Sequence, residues 1–293
     1  METFTTLIGL CYSITSLLLI LINALLLLTM RRHKDYKTCT YRIIKHICVV
    51  SIMQLIAFFV GGLMTIAGTT FTVYVDRILG AFVQSGWFLY LGLSLTLSID
   101  RLLMFVSSKP TYFNNRISSV FLTCSWLLWL CVFIILFIPN FGYTYRTPQG
   151  LVLWSYTDEE GSQRMQVVEA YFDPIILGLI FVIYLIVSGY LFKLKKSVAQ
   201  QSTSFKLEIR IFIIAVVSFT YESVFIFITF WMPEALSHQL AVVILINLSW
   251  AVDCGFMSVA LLTINEKLRS RTMNVLMRKK GAKVVFVVQS VNS

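Results

Sequence analysis

The chain has 293 residues, 58% of them hydrophobic and only 13% charged, with a formal net charge of +10 and a mean hydropathy of +0.81. This composition excludes a water-soluble domain, because most of the surface must face lipid. The positive charge does not point to nucleic acid: the basic residues stand in short gaps between long apolar segments, where topology and anionic lipid account for them.

Seven segments of about 20 to 25 residues are long enough to cross a hydrocarbon core about 30 Å thick. They are Thr6 to Met30, Ile43 to Ala67, Ile78 to Arg101, Ile117 to Pro139, Ala170 to Phe192, Ile211 to Met232 and Gln239 to Thr263. The expected fold is an all-α membrane protein, a bundle of seven transmembrane helices spanning 1–265, followed by a cytoplasmic tail, 266–293. Of the 24 Lys and Arg residues, only Arg77, Arg146 and Arg164 lie outside alternate gaps, so the basic gaps are expected to be cytoplasmic. The expected location is the plasma membrane, with the amino terminus outside and the carboxyl terminus inside. Nothing resembles a cleaved signal peptide, so the first span is expected to act as the insertion signal.

Few polar residues interrupt the spans, and those that do are expected to face the bundle interior. In the third span Gln84, Trp87, Leu91, Ser94, Ser98 and Arg101 recur at intervals of three and four, which places them on one helical stripe. Ser94 and Ser98 read as interhelical packing, whereas for Gln84 and Trp87, in the outer third where a pocket would open, packing and a cavity role both stand. The loop Asn140 to Glu169 carries five aromatics and the acidic run Asp158 to Glu160; it is placed as a lid over an outward-facing cavity, its acids reading first as a solvated loop that avoids lipid and second as a specific ligand contact. Glu169, Tyr171 and Asp173 follow at the outer end of the fifth span, where an interfacial anchor is the simplest reading for the cluster. Glu222 and Asp253 lie deep in the sixth and seventh spans. Two readings stand for each: a ligand or switching contact, or a neutral acid bonded to a neighbour such as Tyr221 or Trp250.

The third span ends Ser98-Ile99-Asp100-Arg101-Leu102, and Lys109, Pro110 and Tyr112 follow shortly after. The acid and arginine resemble the Asp-Arg-Tyr motif of seven-helix G-protein-coupled receptors. Phe205-Lys206-Leu207-Glu208-Ile209-Arg210 enters the sixth span, and the stretch from Ser249-Trp250 closes Ile264-Asn265-Glu266-Lys267-Leu268-Arg269. These stretches resemble the nematode serpentine chemoreceptors, most closely the Srx class, with the related Srt and Srv classes as alternatives. The resemblance implies a chemosensory receptor that binds a small-molecule ligand and signals to a heterotrimeric G protein. Ligand contacts then fall to Gln84, Trp87, Tyr171, Glu222, Trp250 and Asp253, and G-protein contacts to Asp100, Arg101, Lys206 and Arg210.

Three features depart from rhodopsin-like receptors. Ser51 stands at the acidic position usual in helix two, Met257 where an Srx-type acid or the rhodopsin-like proline of helix seven is expected, and Leu261 where the tyrosine of that motif would stand, which argues against a sodium-linked switch. Five of the six cysteines lie in spans and Cys39 in a basic loop, so the disulfide joining helix three to the second outside loop in most such receptors cannot form. The run Glu266 to Lys280 mixes Leu268, Val275, Leu276 and Met277 with basic residues, and two readings stand for it: a short amphipathic helix on the inner membrane surface, or a solvated basic tail. No lysine for a retinal Schiff base stands in the seventh span. No phosphate loop, metal cluster or activated nucleophile is legible, so neither an enzyme nor a cofactor is expected. A seven-helix transporter of a small solute is the alternative, though no repeated half is evident.

Overall fold

Lipid offers no hydrogen-bond partners, so a chain crossing it must satisfy its backbone internally, and helices do so within each segment. In the computed structural model, which describes residues 2–106, 111–145, 153–197, 203–231 and 239–277, seven long helices take this form. They are α1 (Glu2–Arg32), α2 (Cys39–Ala67), α3 (Val73–Val106), α4 (Thr111–Ile135), α5 (Glu160–Ser197), α6 (Thr203–Trp231) and α7 (Leu240–Ile264). A short helix, α8 (Glu266–Leu276), turns off the end of α7, and a 3-10 turn (Lys34–Tyr36) joins α1 to α2. The residues Arg146, His238, Lys109 and Pro110, and the tail from Arg278 onward, lie outside the described residues, as do the side chains of Tyr112 and of Phe205 to Glu208.

The middle of α3 is the bundle's axis: this helix packs against α2, α4, α5 and α6. Its apolar window is 61% buried, as is that of α2, against 22% for α4 and α5, which expose leucine, isoleucine and phenylalanine to lipid. The helix α5 begins at Glu160, ten residues before the expected span. At 38 residues it runs about 57 Å at 1.5 Å per residue, so its first turns rise beyond the hydrocarbon core. The last third of the expected lid loop is therefore helix.

Polar side chains hold the helices in register. Ser258 of α7 donates to Asn23 Oδ1 of α1 at 2.6 Å, and Asn23 donates in turn to the carbonyl of Leu19 at 2.9 Å. Gln54 of α2 donates to the Val83 carbonyl of α3 at 3.2 Å. Small residues do the same work by allowing close approach. A Cβ on Gly62 would lie 2.4 Å from Ser13 Oγ and 2.7 Å from the Gly9 carbonyl oxygen, so α1 and α2 touch backbone to backbone only because these residues are small.

The ends bearing the basic residues gather on one face. There Arg42 of α2 donates to Ser119 of α4 at 2.6 Å, and Asn265 Nδ2 approaches the Tyr41 hydroxyl at 3.4 Å. Asn265 also accepts from the Leu268 backbone N–H at 3.1 Å, capping α8 as it leaves α7. Leu268 and Thr272 are buried. Lys267 and Arg271 close on Asp35 of the first turn at 2.9 and 2.7 Å, and the Arg271 guanidinium lies 5.3 Å from the Tyr36 ring centroid.

Hydrogen bonds from Lys267 and Arg271 hold the Asp35 carboxyl down from its ordinary 3.8 to about 2. A depressed acid stabilises the state in which it is ionised. The attachment of α8 is therefore complete above about pH 4 and is lost as pH falls towards 2. The distance between spin labels on the first turn and on α8 is expected to hold from pH 7 to 4 and lengthen near pH 2. Asp35→Asn is expected to give the longer distance at pH 7.

Candidate functional site: a lidded aromatic cavity and a buried arginine

On the face opposite the basic one, α3, α5, α6 and α7 splay around a cavity of about 160 Å³. A two-stranded hairpin covers it, formed by β1 (Tyr143–Thr144) and β2 (Ser155–Tyr156) with Tyr143 paired across from Tyr156. Both tyrosines line the cavity with Trp87 of α3, Phe225 of α6 and Trp250 of α7. The Trp87 ring stands edge-on to Phe225 and to Trp250 at 5.8 and 5.7 Å, and Tyr143 meets Trp250 at 6.4 Å. Burial, reinforced by the nearby Glu169, pushes the phenols of Tyr143 and Tyr156 well above their ordinary range, so both remain neutral donors. Gln84, just behind this wall, donates to the Tyr156 hydroxyl at 2.6 Å.

The hairpin is anchored without a disulfide, all six cysteines being free. The Asp76 carboxylate accepts the Tyr145 N–H at 2.8 Å, and the Tyr145 hydroxyl meets Thr65 of α2 at 2.9 Å. Arg77, one of the three basic residues outside the charge pattern, spans the end of α4. Its guanidinium donates to the carbonyls of Ile138 and Phe141, each at 2.9 Å, and of Leu136 at 3.4 Å. A Cβ at Gly80 would sit 1.7 Å from the Tyr143 carbonyl oxygen, so glycine there lets the strand lie directly on α3.

Two acids enter the cavity from α5. Glu169 and Asp173 both line it, with 6% and 0% of their surfaces exposed. Trp87 Nε1 donates to Asp173 Oδ2 at 2.9 Å. These residues face inward, and the reading of the cluster as an interfacial anchor is corrected. Tyr171, expected to contact a ligand, is 70% exposed and points away to the lipid side. Two residues along a helix is about 200° of rotation, so inward-facing 169 and 173 force 171 outward.

Glu222 and Asp253 are buried beneath the cavity and are not among its lining residues. Glu222 accepts from Tyr90 of α3 at 3.0 Å and from Ser218, one turn earlier in α6, at 3.1 Å. Tyr221 instead donates to the Ser249 carbonyl at 2.9 Å. Sequence reasoning missed Tyr90 and Ser218. The four-residue spacing of Ser218 and Glu222 was the available signal for the second.

At the other end of α3, Arg101 is fully buried. Its guanidinium pairs with Asp100 Oδ2 at 2.7 Å and donates to Thr40 of α2. Thr40 donates to the same carboxylate oxygen at 2.6 Å, and Ser118 of α4 to Oδ1 at 3.3 Å. The arginine is thus closed off by α2 and α4, with Phe105 and Phe212 in edge contact at 6.3 Å between α3 and α6 beside it. Arg210 is exposed on the same face, while the side chain of Lys206 lies outside the described residues. Ser51, Met257 and Leu261 are buried in the bundle.

A family model described as "Serpentine type 7TM GPCR chemoreceptor Srt" matches residues 2–284. The match is to Srt and does not support the Srx placement that the motifs favoured. No curated protein matches the sequence. Among solved structures, the crystal structure of squid rhodopsin superposes with a TM-score of 0.74 at 14% identity, covering 97% of this chain and 89% of that one. This likeness shows the seven-helix fold.

The anchoring of the lid sets a stability difference. Arg77→Ala leaves three carbonyls to find other partners, at about 1–3 kcal/mol for the site. The purified protein is expected to melt at a lower temperature, with limited proteolysis cutting first near the hairpin. Arg77→Lys is expected to recover only part of the loss, because one ammonium cannot reproduce the planar fork.

Proposed function

Because the chain belongs to the serpentine seven-transmembrane chemoreceptor family Srt, we propose that it binds a small-molecule ligand in the lidded cavity and signals to a heterotrimeric G protein at the basic face. In this reading the lid and amino terminus are extracellular and α8 is cytoplasmic, in the plasma membrane. The observation that carries it is α3 itself. One unbroken helix lines the cavity at Trp87 and carries the enclosed Asp100–Arg101 pair near its other end, about 21 Å away at 1.5 Å per residue.

The Tyr90–Glu222–Ser218 contacts lie between these two ends and tie α3 to α6. A ligand that displaces Trp87 or Phe225 changes how α6 sits on α3 and so biases the two-state equilibrium of the helix bundle. The switch frees Arg101 from Asp100, Thr40 and α4 to meet the G protein, with Lys206 and Arg210 at the adjacent end of α6 supplying further positive charge. Gln84, Trp87 and Trp250 act at the cavity wall. Glu222 and Asp253 act beneath it, as switching contacts rather than as the ligand's first neighbours.

Two substitutions test the coupling without a known ligand. In cells expressing the full chain with a second-messenger readout, Asp100→Asn loosens the enclosure and is expected to raise ligand-independent signalling several-fold. Arg101→Ala is expected to abolish signalling, evoked or basal, while an amino-terminal epitope still stains unpermeabilised cells. Wild-type signalling by Arg101→Ala would overturn the coupling role, and staining only after permeabilisation would overturn the orientation.

A further inference from the structure

The cavity holds two carboxyl groups that its protein partners do not fully satisfy. Glu169 and Asp173 stand one helical turn apart on α5 and both line it, yet its described lining includes no Lys, Arg or His. Asp173 is fully buried. The Trp87 N–H satisfies its Oδ2, and its Oδ1 has no hydrogen-bond partner among the described residues. Glu169 is served by Gln84 and Tyr156, both uncharged. A buried carboxylate without a counter-charge is expensive unless something completes its shell.

The remaining walls have the complementary property. Trp87, Tyr143, Phe225 and Trp250 present aromatic surface around the two acids, and aromatic faces attract a cation while shedding an anion. The deeper acids do not share this arrangement, because neither Glu222 nor Asp253 lines the cavity.

We propose that the cavity selects a small organic cation, an ammonium group on an apolar or aromatic skeleton, whose nitrogen sits against Asp173 and Glu169 and whose skeleton lies among the rings of Trp87, Phe225 and Trp250. This rests on the cavity being the receptor's ligand site and names the chemistry it takes. Asp173 Oδ1 receives an N–H from a primary ammonium, or close electrostatic contact from a quaternary one. The hydrogen bond from Trp87 fixes the orientation of the carboxylate and places an indole of α3 directly on the group that holds the ligand.

The test uses the purified full chain in lipid nanodiscs and follows its thermal melting with matched probes. Phenethylamine is paired with 2-phenylethanol, isoamylamine with isoamyl alcohol, and choline with 3,3-dimethylbutan-1-ol, with phenylacetate as the anionic member. Ammonium probes are expected to raise the melting temperature where their neutral partners and phenylacetate do not. Asp173→Asn and Glu169→Gln are each expected to weaken that response about tenfold or more, while Tyr171→Ala, on the lipid side of the same helix, leaves it unchanged. Failure of all the ammonium probes, equal stabilisation by the neutral partners, or undiminished ammonium binding by the double variant would each overturn the proposal. The comparison of paired probes on the unmodified chain decides the matter even if a variant fails to fold. Ammonium binding without any second-messenger response would overturn the receptor reading and leave the cation site standing. Signalling evoked by neutral chemicals alone would do the reverse.

Discussion

A polar group inside a lipid bilayer can find a hydrogen-bond partner only within the protein, and the arrangement of this bundle follows from that constraint. Apolar side chains tell the helices to enter the membrane but distinguish poorly between neighbours, since lipid is as apolar as leucine. The polar groups supply the distinction. Asn23 with Ser258 fixes α1 against α7, Gln54 fixes α2 against α3, and Tyr90 with Glu222 fixes α3 against α6. Arg101 is the extreme case: its guanidinium is fully buried and is accommodated by converging Asp100 and Thr40 upon it, with Ser118 behind.

This constraint also explains why α3 occupies the axis. It carries more interior polar side chains than its neighbours can ignore, and they emerge on several faces. Gln84 and Trp87 turn towards the lid and α5, Tyr90 towards α6, and Asp100 towards α2 and α4. A helix with such demands is stable only when surrounded. The same placement gives it contact with the cavity at one end and with the basic face at the other.

Much of this was legible in the sequence because hydropathy and charge are properties of segments. Seven apolar runs sufficed for the fold, and the three-and-four spacing sufficed to bring Gln84 and Trp87 to the lid and Arg101 to the interior. What was not legible depended on helical phase and on partners distant in the chain. Tyr171 and Asp173 are two residues apart, and only the packing of α5 decides which of them faces inward. Tyr90 stands three residues after Trp87 and four before Ser94, at the edge of the same stripe, but nothing local announces that it reaches Glu222, 132 positions later. Arg77 was visible as an exception to the charge pattern. Its reason, three carbonyls at the frayed end of α4, belongs to a turn that no periodicity describes.

The hairpin over the cavity is held by hydrogen bonds and close packing alone, through Asp76, Arg77, Thr65 and the bare backbone at Gly80. Its assembly therefore needs no oxidant, and the covered cavity can form as soon as the helices meet, before any thiol chemistry in the secretory pathway. Reductants in the surroundings leave its anchors untouched. Uncovering the cavity would likewise cleave no covalent bond, since only these hydrogen bonds and close contacts stand between the hairpin and the helices beneath it.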